Sequence, residues 1–265
     1  MNVRESVEAV RQQHPEADKN LSAPVLMLQQ VVKTRQHATN SFQLVIPELT
    51  VRAGEFVAVV GESGCGKSTL LDLLALISKP NEVSRFRLAF TEQDQTDVAS
   101  LWARNDENAL ASVRRRHLGY VLQTGGLLPY LSVQDNLLLP MRMNRLPGAN
   151  QRVLAMAERM GVTDCLKRKP DALSGGQRQR VAILRALSHA PRLVLADEPT
   201  AAVDKRRARL IVDDFRSLAR DEGLSIIMVT HDLDLVKSLA DATYGFEVTQ
   251  VAENQVRSIC RRGPA

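Results

Sequence analysis

The sequence predicts an α/β fold organised around a phosphate-binding loop, and three neighbouring observations predict it. The apolar run Phe56-Val57-Ala58-Val59-Val60 reads as a buried parallel strand. It leads directly into Gly61-Glu62-Ser63-Gly64-Cys65-Gly66-Lys67-Ser68, with Thr69 following, which has the spacing G-x-x-x-x-G-K-S. Behind that loop Leu70, Leu71, Leu73, Leu74 and Ile77 fall on one face of a helix that ends before Pro80. The glycines let backbone N–H groups turn inward around a polyphosphate, and the helix N-terminus adds partial positive charge. In this pattern Lys67 reaches the β- and γ-phosphates and the Ser68 hydroxyl ligates Mg²⁺.

Strand, loop and helix together resemble a P-loop NTPase, and composition sets bounds on the rest. A chain of 265 residues fills one large or two small domains with a full core. The net charge of +5 is spread over scattered clusters, Arg114-Arg115-Arg116, Lys167-Arg168-Lys169, Lys205-Arg206-Arg207 and Arg261-Arg262. With only 4 % aromatics no stacking platform for bases is visible, so no nucleic-acid partner is expected. Cys65, Cys165 and Cys260 show neither metal spacing nor a disulfide framework, which fits a reduced, cytoplasmic compartment. The sequence shows no signal peptide, and every apolar run falls short of the ~20 residues that cross a bilayer, so the chain is expected to be soluble by itself.

In order along the chain, residues 1–24 read as a polar arm with a short helix over Val3–Val10. Leu26–Val32 and Phe42–Ile46 have strand character, and the polar stretch Lys33–Ser41 connects them. Leu49–Ala53 leads to a turn at Gly54. Between Asn81 and Asn108 only Arg85–Phe90 reads as a strand, and Thr91–Asn108 reads as a loop with one helical turn around Trp102. Leu118–Leu122 is a short strand with Gln123 at its carboxyl end. A glycine-containing loop, Thr124–Leu131, follows, and Ser132 opens an apolar helix toward Leu139. Gln151–Met160 is a further helix with Val153, Leu154, Ala157 and Met160 on its buried face, closed by Gly161.

The second informative stretch is Leu173-Ser174-Gly175-Gly176-Gln177. Ser174 and Gln177 form a capping-box pattern that starts a helix running to His189. Capping does not call for Gly175 and Gly176, which weaken a helix unless something must approach its backbone; a phosphate at the helix start would. Leu193–Ala196 then reads as a buried strand that ends in Asp197-Glu198. Asp197 is placed to hold Mg²⁺ and Glu198 to polarise an attacking water. Lys205–Arg220 is a long helix, and Ser225–Thr230 a buried strand with His231 at its end, a candidate γ-phosphate sensor. Leu233–Ala240 is a short helix, and Tyr244–Val251 with Gln255–Ile259 form a closing hairpin.

With both glycine motifs in hand, the chain resembles the ATP-binding subunit of ABC transporters over about residues 25–250. The phosphate loop, Gln123, the Leu173–Gln177 signature, Asp197-Glu198, Asp204 and His231 occur in the order found in that family. The resemblance implies a RecA-like core, an antiparallel β subdomain and an inserted helical subdomain at about 124–187, with 251–265 as hairpin end and tail. It implies a Mg²⁺-dependent ATPase in which Glu198, His231, Gln123 and Lys67 are catalytic and Ser68, Gln123 and Asp197 attend the metal. It also implies a homodimer in which Gly61–Thr69 of one copy and Ser174, Gly175, Gly176 and Gln177 of the other hold each ATP, with Asp204 nearby. The partner implied is an integral membrane permease on another chain, with this subunit peripheral on the inner face of the membrane. Leu127-Leu128-Pro129 and Ser132–Asn136 look most like the lipoprotein-releasing, macrolide-efflux and cell-division branch, which points to export or mechanotransmission; amino-acid importers carry similar residues, so an importer ATPase of the same family is the alternative. The family often stacks an aromatic on adenine; the nearest equivalents here are Arg35 and Phe42. DNA-repair relatives would carry a coiled-coil or zinc insertion, and translation factors a second cassette; this sequence shows neither.

Overall fold

A computed structural model describes residues 24–91, 93–201 and 205–263. The expected helix over Val3–Val10 and the expected site residue Asp204 lie outside the described residues.

β1 (Leu26–His37) and β2 (Asn40–Val51) form one long antiparallel hairpin with His37 opposite Asn40. The polar stretch expected to connect two short strands is therefore itself strand. Its polar residues line a half-solvated sheet, and the chain reverses at Ala38, which adopts φ +50°. β3 (Phe56–Val60) precedes the phosphate loop and α1 (Lys67–Leu74) follows it. α1 ends sooner than its apolar spacing suggests. Leu76 turns to φ +57°, and the N–H groups of Ile77 and Ser78 bond back to the Asp72 carbonyl. Ile77, expected on the buried face, is 58 % exposed.

β4 (Glu82–Ala89) pairs with β1, and β5 (Gln95–Asp97) pairs with β4. The stretch expected to be mostly loop holds α2 (Val98–Ala103) and the start of α3 (Glu107–His117). Each opens on an aspartate N-cap: Asp97 accepts from the Ser100 N–H at 3.2 Å, and Asp106 from the Ala109 N–H at 3.0 Å. β6 (Leu118–Val121), α4 (Val133–Met143) and α5 (Ala149–Arg159) come next, with Gly161 at φ +61° just past α5. α6 (Gly175–Leu187) begins with the expected capping box. β7 (Leu193–Asp197), α7 (Lys205–Glu222), β8 (Ser225–Thr230) and α8 (Leu233–Val236), the last shorter than expected, lead to the hairpin of β9 (Ala242–Ala252) and β10 (Gln255–Arg262).

All ten described strands form one sheet, in the order β5-β4-β1-β2-β10-β9-β3-β8-β7-β6. From β9 to β6 the strands are parallel, and from β5 to β2 antiparallel. β10 joins the halves, running parallel to β2 and antiparallel to β9. In the parallel half successive residues serve opposite cores. Val57, Val59, Leu193, Leu195, Ile227 and Val229 face a core shared with α1, whereas Phe56, Ala58, Val194, Ala196, Ile226 and Met228 face one covered by α6 and α7. That is why these strands read as unbroken apolar runs. A third core gathers α4, α5 and the middle of α6, through residues such as Leu137, Val153, Val181 and Leu184. The chain is thus an α/β P-loop NTPase fold with a RecA-like core, an antiparallel β part and a helical part.

His189, just beyond α6, is buried with its Nε2 3.1 Å from the Leu118 carbonyl, and burial pushes its pKa down to about 4. The folded chain therefore binds this proton more weakly than the unfolded chain. Stability is complete above the ordinary histidine pKa of 6.5 and declines as pH falls from there through about 4. The loss should be on the order of 3 kcal/mol. Urea titrations from pH 7 to 4 should show that slope in the wild type and a flatter one in His189→Gln, which retains an N–H donor for Leu118. Parallel slopes would contradict the assignment.

Candidate active site

The phosphate loop spans the gap between β3 and α1. Gly66 is the N-cap of α1 at φ +111°, with no side chain capping the helix, and Gly64 sits at φ +82°. Both values are strained for any residue with a Cβ. Gly61 and Gly66 are also required by space. A Cβ on Gly61 would lie 2.5 Å from Cys65 Sγ and 2.7 Å from the Phe246 ring, and one on Gly66 would lie 2.8 Å from Phe42 Cζ. Cys65 turns its side chain into the core, where burial raises its thiol pKa, and its carbonyl accepts from Ser258 Oγ at 2.6 Å.

The donor set fits a polyphosphate. Among the described residues the backbone N–H groups of Gly64, Gly66, Ser68 and Thr69 donate to no protein acceptor. Orphan donors of this kind at a helix N-terminus form an anion cradle. Lys67 is buried, its Nζ donating to the Gly61 and Glu62 carbonyls at 2.8 Å each. The Glu62, Ser63 and Ser68 side chains face solvent, whereas Thr69 is buried behind the loop.

Parallel register brings the acids to the same edge. Val60 pairs with Thr230 and Asp197 with Val229, so the loop, Asp197-Glu198 and His231 meet beyond the carboxyl ends of β3, β7 and β8. Glu198 adopts φ +42°, with its N–H on the Val229 carbonyl at 3.0 Å. For a residue with a Cβ this conformation costs roughly 1–3 kcal/mol. Its Oε1 stands 3.4 Å from Lys67 Nζ and its Oε2 3.2 Å from His231 Nδ1. Burial first, then the charges of Glu198 and Asp72, raise the Asp197 pKa, while Lys67 opposes them. This crowding of negative charge fits a divalent cation held by Asp197 with the Ser68 hydroxyl, hard oxygen donors suited to Mg²⁺. Among the described residues no cluster of three His, Cys, Asp or Glu side chains forms a separate metal site.

The chain does not bring all the expected residues together. Gln123 lies exposed just beyond β6. Ser174 and Gln177 cap each other, the Ser174 N–H donating to Gln177 Oε1 at 3.0 Å and the Gln177 N–H to Ser174 Oγ at 3.3 Å. Among the described residues no hydrogen bond or ion pair joins the start of α6 to the phosphate loop. Phe42, one of two candidates for stacking on adenine, is partly buried on β2, where it packs against the core and behind Gly66. Arg35 keeps an exposed guanidinium, paired with Asp72 of α1 at 2.5 Å. Phe246 and Ser258, which shape the loop from β9 and β10, carry no local signal that sequence reading finds.

The ABC transporter family model matches residues 46–201. The chain belongs to the ABC transporter family. YvrO of Bacillus subtilis, described as an uncharacterized ABC transporter ATP-binding protein, is 43 % identical over 197 residues, covering 74 % of this chain and 81 % of YvrO. The lipoprotein-releasing system ATP-binding protein LolD of Pseudomonas syringae pv. tomato is 41 % identical over 194 residues, covering 72 % and 81 %. The dimeric structure of MJ0796, a bacterial ABC transporter cassette, superposes with a TM-score of 0.71 at 30 % identity, covering 83 % of this chain and 93 % of that one. This ABC chain is therefore an ATP-binding subunit of a family that hydrolyses ATP with Mg²⁺ and serves transport.

Because the folded chain holds the Asp197 proton more tightly than the unfolded chain, its stability falls as pH rises from the ordinary carboxylate range through the raised value. Asp197→Asn removes that penalty. Without nucleotide or metal, its melting temperature should exceed that of the wild type at pH 7, with the gap closing as pH approaches 3.8. An equal or lower melting temperature at pH 7 would contradict charge crowding at this site.

Proposed function

We propose that this subunit hydrolyses ATP at a site completed by a second copy of itself. It drives a separate integral membrane partner in export or mechanotransmission, from the inner face of the cell membrane. The observation that carries the shared site is the space around Gly175 and Gly176. Neither has a positive φ, and a Cβ on either would meet nothing within 4 Å. Nothing within the chain requires two glycines there, and they weaken the helix they open, so the group that comes close to them arrives from outside. A nucleotide held on the phosphate loop of another copy satisfies that requirement, and the dimeric state in the description of MJ0796 supports it.

In this reading Gly61–Thr69 wrap the phosphates, with Lys67 moving from the loop carbonyls to the β- and γ-oxygens. Ser68, Gln123 and Asp197 would hold Mg²⁺, which would neutralise phosphate charge. Glu198 takes the proton of the attacking water, and His231, 3.2 Å from its Oε2, orients that carboxylate toward the γ-phosphate. Ser174, Gly175, Gly176 and Gln177 of the second copy close the site. Residues 25–250 form the ATP-binding domain, with a helical part at about 124–187. Tyr130, Met143 and Leu154 (the last exposed against its expected place on a buried helix face) are large apolar side chains exposed on that part, and they offer a surface for the membrane partner. The lipoprotein-releasing system named for LolD supports export or mechanotransmission, and an importer ATPase of the same family is the alternative.

Glu198→Gln should bind ATP yet lose turnover on the order of 10²-fold or more. Ser174→Arg should also retain binding, because its own phosphate loop is untouched, while hydrolysis collapses. Nucleotide titration, sedimentation and phosphate release decide the matter: full-rate hydrolysis by a demonstrably monomeric preparation removes the shared site. Tyr130→Ala should leave the isolated ATPase unchanged and weaken co-purification of the membrane protein; undiminished recovery places the docking surface elsewhere.

A further inference from the structure

We propose that Arg185 is a positioning residue for Gln123, fastening the loop that carries Gln123 to helix α6, on which the Ser174–Gln177 signature sits. The inference rests on the reading that Gln123 attends the nucleotide.

The loop after β6 is fixed at two places. Arg185, in the last turn of α6, donates from Nη1 to the Gly126 carbonyl at 2.5 Å. Gly125 and Gly126 take φ +75° and +58°, and the turn is closed by the Gly125 N–H on the Leu122 carbonyl at 2.8 Å. These conformations bring the loop onto α6: a Cβ on Gly125 would touch Ala182 Cβ at 3.5 Å and Arg178 Cγ at 3.8 Å. The second fixing point is Asn136, whose fully buried amide donates to the carbonyls of Leu128, Leu131 and Ser132 and accepts from the Leu128 N–H at 2.8 Å. Residues 125–132 are thus tied to α6 and α4. On the other side, Val121 is held in the sheet opposite Ala196 of β7. Between these anchors stand Leu122, Gln123 and Thr124, all exposed. Among the described residues Gln123 and Thr124 take part in no hydrogen bond.

Leu122, Gln123 and Thr124 bridge the sheet and the helical anchors within the turn that the Gly125 N–H closes on Leu122, so they follow the anchored loop when it shifts. Arg185 lies ten positions after Gly175, about 15 Å along the helix at 1.5 Å per residue. A tilt of the signature end of α6 is therefore passed to Gln123 through one guanidinium–carbonyl contact, a physical link rather than mere proximity. The cation is costly where it stands. Burial pulls the Arg185 pKa down, and α6 would gain the dipole benefit of a terminal cation from an exposed side chain too.

The test uses the whole subunit. Arg185→Gln should speed hydrogen exchange in a peptide covering 122–132 by about 10-fold or more, the scale of a lost charge-assisted hydrogen bond, and leave the 56–70 peptide unchanged. Its kcat should fall with the KM for ATP unaltered, and Arg185→Lys, which still carries a cationic donor, should recover most of both effects. In the double variant with Gln123→Ala the kcat losses should not multiply, since both changes act on the same group. Unchanged exchange in a folded Arg185→Gln overturns the fastening. Faster exchange with wild-type kcat, or losses that multiply, overturns the positioning role and leaves a merely structural arginine. Wild-type hydrolysis by Gln123→Ala alone instead sinks the reading of Gln123, and the fastening is then decided by exchange.

Discussion

Two phenyl rings set how close the phosphate loop can lie to the sheet. Phe246 of β9 stands against Gly61 and Phe42 of β2 against Gly66, at separations that leave no room for a Cβ on either glycine. Ser258 of β10 adds a hydrogen bond to the Cys65 carbonyl. Phe42, Phe246 and Ser258 stand on strands close to the junction of the sheet, whereas the loop itself hangs from β3 in the parallel half. The burial of Lys67, the orphan N–H groups and the reach to Glu198 all follow from that pressed backbone. Close-packed interiors transmit such constraints because they lack free volume to absorb them.

Much of the fold was legible because its signals were local. Strands buried on both faces read as apolar runs, and β3, β7 and β8 each lead to residues whose types declare their chemistry: the phosphate loop, Asp197-Glu198 and His231. The capping pair at Ser174 and Gln177 is present as read. The sequence hid whatever depends on distant pairing. The polar half of the β1–β2 hairpin looks like a loop until each residue is set beside its partner, and nothing near Phe246 or Ser258 announces a phosphate loop. Ile77 misled because periodicity continues past the point where Leu76 breaks the helix. The Asp97 and Asp106 caps were visible as residue types, yet lacked the apolar periodicity that makes a helix recognisable. Of the candidate site, the residue types were readable and their convergence was not. The meeting of Lys67, Glu198 and His231 is a product of parallel register, and Gly175-Gly176 takes its meaning from the empty space around it.

Glu198 concentrates the tension of the site. Its backbone is held in a conformation that residues with a Cβ rarely adopt, and its carboxylate lies between a buried cation and an imidazole. Beside it Asp197 is pushed toward its neutral form. Strained backbone next to crowded carboxylates is favoured only where the surrounding sheet over-determines it. Here β7 and β8 do so through the Glu198 N–H on Val229.

The last described strand is also the one that joins the sheet. β10 lies between β2 and β9, so among the described residues the antiparallel and parallel halves pair through residues 255–262 and not strand to strand directly. During synthesis β2 is made early and its edge stays bare until the β9–β10 hairpin is made. Pairing of such sequence-distant strands is slow, and uncovered edges invite contact with other chains. A nascent chain of this protein therefore carries an open β2 edge from the time that strand is made until β10 follows. Chaperone dependence and aggregation should follow the rate at which the β9–β10 hairpin is made.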